Sequence, residues 1–332
     1  MWQVIGQDKV LSLLDYSLKN NAIAHAYLIV GPRHVGKGTL ASNLAQALNC
    51  DGPELPCGQC RSCQRILEGK HADITPIGLD SKTEIGIDDI RGLQRIANLP
   101  PYEGKYKVFI IDDAEYLSTE AANSLLKILE EPPQSVVWLL LVAEEEHLLP
   151  TIISRCQRLE LKPVPSEQVQ EALVNSYGIE TNRAKLLAQL CRGRLGWALS
   201  ALANDDILEQ RSQRIDRLVS LLTASLDQRF AYAQELASQF SQNRRTGAEI
   251  IKIWLDWWRD LMLIKGGCRE AIINIDYKAI LEEQARGLSL GEIEGFLSNL
   301  CLLQDEISKN VNPRLVFEWL MLNLPRKSSV KS

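Results

Sequence analysis

The sequence has no surplus of positive charge, little histidine and no long apolar run. Its 37 Lys and Arg stand against 42 Asp and Glu, a formal net charge of −5 over 332 residues. A dedicated duplex-DNA binder is normally basic, so only a local basic strip is left open. The longest apolar stretch, Val136 to Ala143, is far too short to span a bilayer. Met1-Trp2-Gln3 does not open a charged segment ahead of a hydrophobic core, so no secretion signal is expected. His25, His34, His71 and His147 have no ligand spacing and no partnered Ser or Cys, which leaves nucleophilic catalysis without support. There are no internal repeats.

Cysteine is not scarce. Eight cysteines without a secretion signal point to a reducing, cytoplasmic setting and a metal, not a disulfide framework. Cys50, Cys57, Cys60 and Cys63 have the spacing C-x6-C-x2-C-x2-C. Four thiolates so close in sequence match a closed tetrahedral zinc site, which folds a loop with almost no apolar content of its own. An iron–sulfur cluster is the alternative, but its fourth cysteine normally follows shortly with proline. No catalytic residue adjoins the four, so the expected role is structural. Cys156, Cys191, Cys268 and Cys301 lack spacing and read as buried thiols.

The stretch from Ala26 to Thr39, AYLIVGPRHVGKGT, reads as strand, glycine loop, lysine and helix. This is the context of a phosphate-cradling P-loop, in which Gly31 and Gly36 free the backbone and Lys37 reaches outer phosphates. The position after the lysine, Gly38, has no hydroxyl for Mg²⁺, and Thr39 is rotated about 100° away on a helix. Val108 to Ile111 form an apolar strand ending in Asp112-Asp113, the expected magnesium-holding and water-orienting acids. Acids at strand ends are also common turn formers. Asp113 is a methylene shorter than the Glu usual in such hydrolases.

At this length two or three domains are expected. Helices are expected at 4–20, to about 68, over 90–97 and 123–129, and strands at 27–30, 73–77, 108–111, 136–142 and 158–161. Such alternation predicts a parallel sheet covered on both sides, with ligands at the carboxyl ends of its strands. Residues 166–203 hold three short helical patterns, and long amphipathic helices follow from about 205. Trp254 and Trp258 share a face with Leu261 and read as core. The tail RKSSVKS is expected to be disordered. Arg155, in Ser154-Arg155-Cys156, pairs with Glu160 on physical grounds alone.

Gly6-Gln7, His25 to Leu28, the P-loop, the four cysteines, IIDDAEYLSTEAANSLLKILEEPP (110–133) and LLPTIISRCQRLEL (148–161) together resemble the bacterial clamp-loader branch of the AAA+ ATPases. The resemblance implies an α/β AAA+ P-loop domain (1–164) with a four-cysteine zinc insertion at 50–63. A three-helix lid (165–204), a helical collar (205–325) that oligomerises and a disordered tail (326–332) would follow. Within that branch the hydrolysing gamma/tau motor carries Thr at Gly38, Glu at Asp113, a polar sensor near Ala143 and Arg at Gly196. This sequence departs at all four and is more similar to the delta-prime type.

That type implies nucleotide held without hydrolysis, or not at all, by Gly31, Gly36, Lys37, Gly38, Thr39, Asp112 and Asp113. Arg155 resembles the arginine finger that acts in trans on a neighbour's ATP. The implied partners are delta and gamma/tau in a five-membered ring that loads the β sliding clamp on primed DNA, with DNA contact secondary. Two alternatives remain: a gamma/tau-like ATPase in which Thr39 and Asp113 compensate, and a zinc-containing P-loop kinase.

Overall fold

The computed structural model describes residues 2–79, 82–242, 244–308 and 312–325; the expected disordered tail lies outside the described residues. The chain divides into two compact units, Met1–Glu180 with Cys191–Trp197, and Thr181–Leu190 with Ala198–Ser332.

The first unit runs α1 (Asp8–Lys19), β1 (Ala26–Val30), α2 (Lys37–Leu48), α3 (Arg61–Leu67), β2 (Ile74–Ile77), α4 (Ile87–Ala97) and β3 (Lys107–Ile111). It continues with α5 (Thr119–Glu130), β4 (Val136–Val142), α6 (Pro150–Ile153), β5 (Gln157–Glu160) and α7 (Ser166–Asn175). The five strands form one parallel sheet in the order β2-β3-β4-β1-β5. Every residue of the central β4 is buried, as its unbroken apolar run requires. Alternation along the strands divides the core into two layers. Ala26, Leu28, Val30, Trp138 and Leu140 pack with Ile90, Leu93, Leu125 and Ile128 of α4 and α5. Tyr27, Ile29, Leu139 and Leu141 pack on the other face with Leu14 of α1 and Leu40 and Leu44 of α2. This is the parallel α/β sheet, covered by helices on both faces, that the sequence led us to expect.

Local chemistry explains where element boundaries differ from expectation. α5 begins at Thr119 instead of 123 because the Ser118 side chain accepts from the Ala121 N–H and caps the first turn. α1 begins only at Asp8. Gly6 is left-handed at φ +71°, and the Gln7 amide is tied in both directions to the backbone of Lys162.

The second unit is helical: α8 (Thr181–Leu190), α9 (Leu195–Ala203, whose first turn belongs to the first unit), α10 (Asp206–Leu221), α11 (Leu226–Gln242), α12 (Arg244–Lys265), α13 (Lys278–Gly287), α14 (Leu290–Ser308) and α15 (Pro313–Asn323). Trp254, Trp258 and Leu261 are buried in its core, as their spacing implies, with Trp258 4.5 Å from Phe296 between ring centroids. The buried Arg229 guanidinium donates to the carbonyls of Leu221, Leu222 and Leu324, acceptors left over where helices end. Of the four remaining cysteines Cys191 is buried and Cys156 half-buried, but Cys268 and Cys301 are exposed. Cys301 falls off the face of α14 that Phe296, Leu300 and Leu303 bury, and Cys268 follows the turn that ends α12. Among the described residues no helix is long and apolar enough to cross a membrane.

Candidate functional site

β1 delivers the glycine loop to the carboxyl edge of the sheet. A Cβ at Gly31 would lie 2.6 Å from the Leu161 carbonyl oxygen, so close backbone approach dictates glycine there. Gly36, at φ +112°, makes the left-handed turn into α2. Lys37 opens that helix and is buried, its Nζ donating to the carbonyls of Gly31 at 2.6 Å and Pro32 at 3.3 Å. Burial pulls its pKa below the ordinary lysine value, while the carboxylates of Glu115 and Asp112 oppose the shift. Gly38 and Thr39 are exposed on the first turn. A Cβ at Gly38 meets nothing within 4 Å, so packing does not forbid a hydroxyl-bearing residue at that position.

Asp112 and Asp113 leave β3 beside this loop, Asp113 in the left-handed region at φ +54°. Arg33, from the loop itself, places Nη2 2.6 Å from Asp113 Oδ1. Glu115 completes the cluster. One of its oxygens accepts the Ala143 N–H at 3.2 Å, and the other is inaccessible and has no hydrogen-bond partner. Burial pushes the Glu115 pKa up, opposed by the backbone N–H groups of Glu115 and Ala143 and by the charges of Arg33 and Lys37. Gly196 donates its N–H to the His34 carbonyl at 3.0 Å, and a Cβ there would come within 2.8 Å of the same oxygen. A longer side chain at 196 therefore needs the loop to move.

The structure thus brings Lys37, Asp112 and Asp113 together, as the motif spacing implies, and adds Arg33 and Glu115, which sequence reading missed. Arg33 lies inside the glycine loop and Glu115 two residues past the acidic pair, yet no motif marks either.

Arg155 stands at the exposed end of α6. Its Nη2 lies 2.8 Å from Glu130 Oε1 and its Nη1 2.9 Å from the Thr151 carbonyl. The pairing with Glu160 expected for Arg155 belongs instead to Arg158, which reaches Glu145 at 2.6 Å and Glu160 at 3.0 Å. Residues 158 and 160 are two apart on β5 and share a side of the sheet, whereas Arg155 precedes the strand.

The four clustered cysteines converge. Cys50 follows the end of α2, Cys60 caps α3 and Cys63 lies in it. All four sulfurs lie within 4.8 Å of one another, with Cys57–Cys63 at 3.9 Å and Cys50–Cys60 at 4.0 Å. A tetrahedron with Zn–S arms of about 2.3 Å has edges of about 3.8 Å, so the set fits a four-thiolate metal centre. Backbone N–H groups of Gly52 and Cys57 point at Cys50 Sγ, that of Cys60 at Cys57 Sγ and that of Cys63 at Cys60 Sγ. The N–H of Cys60, with that of Gln59, draws the Cys57 thiol down to about 6, while burial pushes Cys50 and Cys63 up. The module is stitched to the domain by Gln46, which donates to the Cys63 carbonyl at 2.8 Å, and by Lys105, which donates to that of Cys50 at 2.7 Å.

Comparison with known proteins fits this geometry. A family model described as DNA polymerase III, delta subunit, matches residues 6–165. The delta′ subunit of DNA polymerase III from Bacillus subtilis (strain 168) is 29% identical over 322 residues, covering 96% of both chains. The tau subunit of the same organism is 29% identical over 349 residues, 98% of this chain and 61% of tau. That of Escherichia coli (strain K12) is 37% identical over 231 residues, 68% of this chain and 36% of tau. The chain thus spans between about a third and three fifths of those tau proteins. A solved structure from Thermotoga maritima, a DNA polymerase III gamma subunit-related protein, aligns at TM-score 0.46 and 20% identity over 95% of this chain and 99% of its own. The family model matches residues 6–165 and the delta′ match runs over nearly the whole chain, so the chain is similar to the DNA polymerase III subunits delta′ and tau.

Proposed function

We propose that the chain is the delta′-type subunit of a DNA polymerase III clamp loader. In this reading it joins delta and gamma/tau in a hetero-oligomeric ring in the cytoplasm, which loads the β sliding clamp on primed DNA. It works there without hydrolysing ATP and lends Arg155 in trans to a neighbour's nucleotide. In this reading residues 165–204 form the lid, and the collar over 205–325 is the part that holds the ring together.

The observation that carries it is the contrast between two positive groups. Lys37 is buried and engaged with its own loop, and the charges that act on it come from Arg33, Asp112 and Glu115. Arg155 is half-buried and paired to the exposed carboxylate of Glu130, and such surface pairs are readily exchanged, worth about 0–1 kcal/mol. A guanidinium so held is free to meet a phosphate presented by another chain. The end-to-end match to delta′ supports the same assignment.

The tau relatives favour a second reading, a hydrolysing motor in which Thr39 and Asp113 replace the missing groups. Against it, Thr39 lies on the exposed face of α2 and Asp113 is engaged by Arg33.

In the four-cysteine centre zinc would be bound by the sulfurs of Cys50, Cys57, Cys60 and Cys63. It would supply folding energy and no open coordination position for chemistry. The deciding experiment is reconstitution with delta and gamma/tau, followed by clamp loading with wild type and Arg155→Ala. Failure of the wild type to enter the complex, or full loading activity in the variant, would overturn the reading.

A further inference from the structure

The four-cysteine module reaches beyond its own loop. Residues 98–106, between α4 and β3, belong to no helix or strand, so their backbone groups need partners from elsewhere. Ahead of β2, the buried Asp73 carboxylate accepts the N–H of Tyr102 at 2.7 Å and those of Glu103 and Gly104 at 2.8 Å. Past the end of α2, Asn49 meets Tyr106 with both halves of its amide, donating to the carbonyl at 3.1 Å and accepting the N–H at 2.9 Å. Gly104 passes so close that a Cβ there would lie 2.4 Å from Asn49 Oδ1.

Two further ties come from the cysteine module itself. Lys105 Nζ donates to the Cys50 carbonyl at 2.7 Å and lies 3.3 Å from Asp51 Oδ1. Arg65, two residues past Cys63, donates to Glu103 and to the Lys70 carbonyl, and Glu103 accepts the Ala72 N–H at 3.2 Å. Arg65 stands on α3, which is only seven residues long and whose first turn is capped by the Cys60 sulfur. A helix that short is not stable by itself, so the place of Arg65 depends on the sulfurs staying gathered. The same holds for the carbonyl of the ligand Cys50. Asn49, in contrast, is bonded back to Ala45 of α2, and Asp73 lies outside the module.

We propose that the four-cysteine centre, when metal is bound, organises residues 102–106, the segment that leads into β3, with Lys105 and Arg65 as the positioning residues that carry the coupling. This rests on the reading of the cysteines as a metal centre and does not depend on Arg155 or on ring assembly. The coupling is reciprocal: a centre that orders the segment holds its metal more tightly when the segment is in place. Its consequence lies at the tip, where Leu99 is 60% and Tyr102 85% exposed although the Tyr102 N–H is fixed. Metal occupancy sets whether this apolar tip is held rigid or released.

The test compares the full chain in zinc-loaded and chelator-stripped forms by hydrogen exchange at single amides. Stripping should lower the protection of amides 102, 103, 104 and 106 at least about tenfold more than that of β4. An equal change in both, or no change in the segment, would overturn the inference.

The reciprocal arm keeps the metal in place. Lys105→Met and Arg65→Met should each hold zinc roughly tenfold less tightly against a chromogenic chelator, and the double variant less tightly still. Lys105→Arg, which keeps a donor, should stay close to wild type. Both side chains are partly exposed, so these variants are expected to fold. Variants that retain zinc as wild type does would sink the coupling alone, even where they melt lower. A chain that takes up no zinc would remove the metal reading and this inference together.

Discussion

Arg155 and Glu130 are joined by a 2.8 Å contact between Nη2 and Oε1, and this ion pair links two distant pieces of sequence. Glu130 ends α5 in the segment LLKILEEPP, and Arg155 lies in Ser154-Arg155-Cys156, 25 residues on. Both side chains are substantially exposed, so the pair adds little stability and leaves the guanidinium available. Arg155→Ala is expected to change unfolding free energy by less than about 1 kcal/mol. In the reconstituted loader it should slow the one ATP site that it serves by roughly 10³-fold, read as a partial loss of total turnover. A variant that melts normally and leaves every ATP site at full rate would refute the assignment.

The thiolate cluster predicts about one zinc per chain. Cys57→Ser, or exhaustive chelation, should remove it and cost on the order of several kcal/mol, because the loop has few apolar contacts to fall back on. Metal analysis and melting with and without chelator check this. Protein that melts identically after its metal is stripped would show that the cluster does not hold the fold.

Glycines separate space from backbone strain. Gly193 is left-handed at φ +73°, and a Cβ there would lie 2.2 Å from the Val164 carbonyl oxygen. Gly193→Ala should therefore cost more than about 3 kcal/mol, since backbone must shift. Gly58 is also left-handed at φ +71° but has nothing within 4 Å, so Gly58→Ala should cost only about 1–2 kcal/mol. Gly38→Thr should be nearly neutral and should not confer ATP turnover by itself, because Asp113 stays engaged by Arg33. Denaturant titration of the three variants orders them.

Asp73 gives a pH signature. Its carboxylate is buried, which raises its pKa, but the N–H groups of Tyr102, Glu103 and Gly104 outweigh burial and hold it below the ordinary value of 3.8. A lowered carboxyl contributes stability above the unfolded value, and that stability is lost as pH falls through the folded one. Asp73→Asn should thus cost on the order of 2 kcal/mol at pH 7 and progressively less in acid below pH 3.8. A cost that does not change with pH would point to packing instead.

Glu115 gives the opposite sign. Burial, its largest influence, raises its pKa above 4.5, so the folded state holds the proton more tightly than the unfolded one. Its ionised form then subtracts stability, increasingly as pH rises from 4.5 through the folded value. Glu115→Gln should raise the melting temperature at pH 7.5 and lose that gain as pH falls toward and below 4.5. Melting curves across pH 4 to 8 test it, and a gain that grows in acid would contradict the burial.

By itself the sequence determined the five strands and the longer helices of the first unit, though not α6 or the starts of α1 and α5, along with the glycine loop, the four-thiolate set and the buried face of the tryptophan helix. Each depends on spacing within a few residues: runs such as Val136 to Val142, a period of 3.6 at Trp254 and Trp258, or C-x2-C geometry. The tertiary structure alone decided which charges meet. Arg33 and Asp113 are 80 residues apart, and Glu115 and Ala143 are 28 apart. They are neighbours because β1 and β3 flank β4 in a parallel sheet that carries all three carboxyl ends to one edge. The pairing of Glu160 with Arg158 is local by contrast, two residues apart along β5. Periodicity fixes which face of an element is buried, but strand order fixes its neighbour, and strand order is not written in any local stretch of residues.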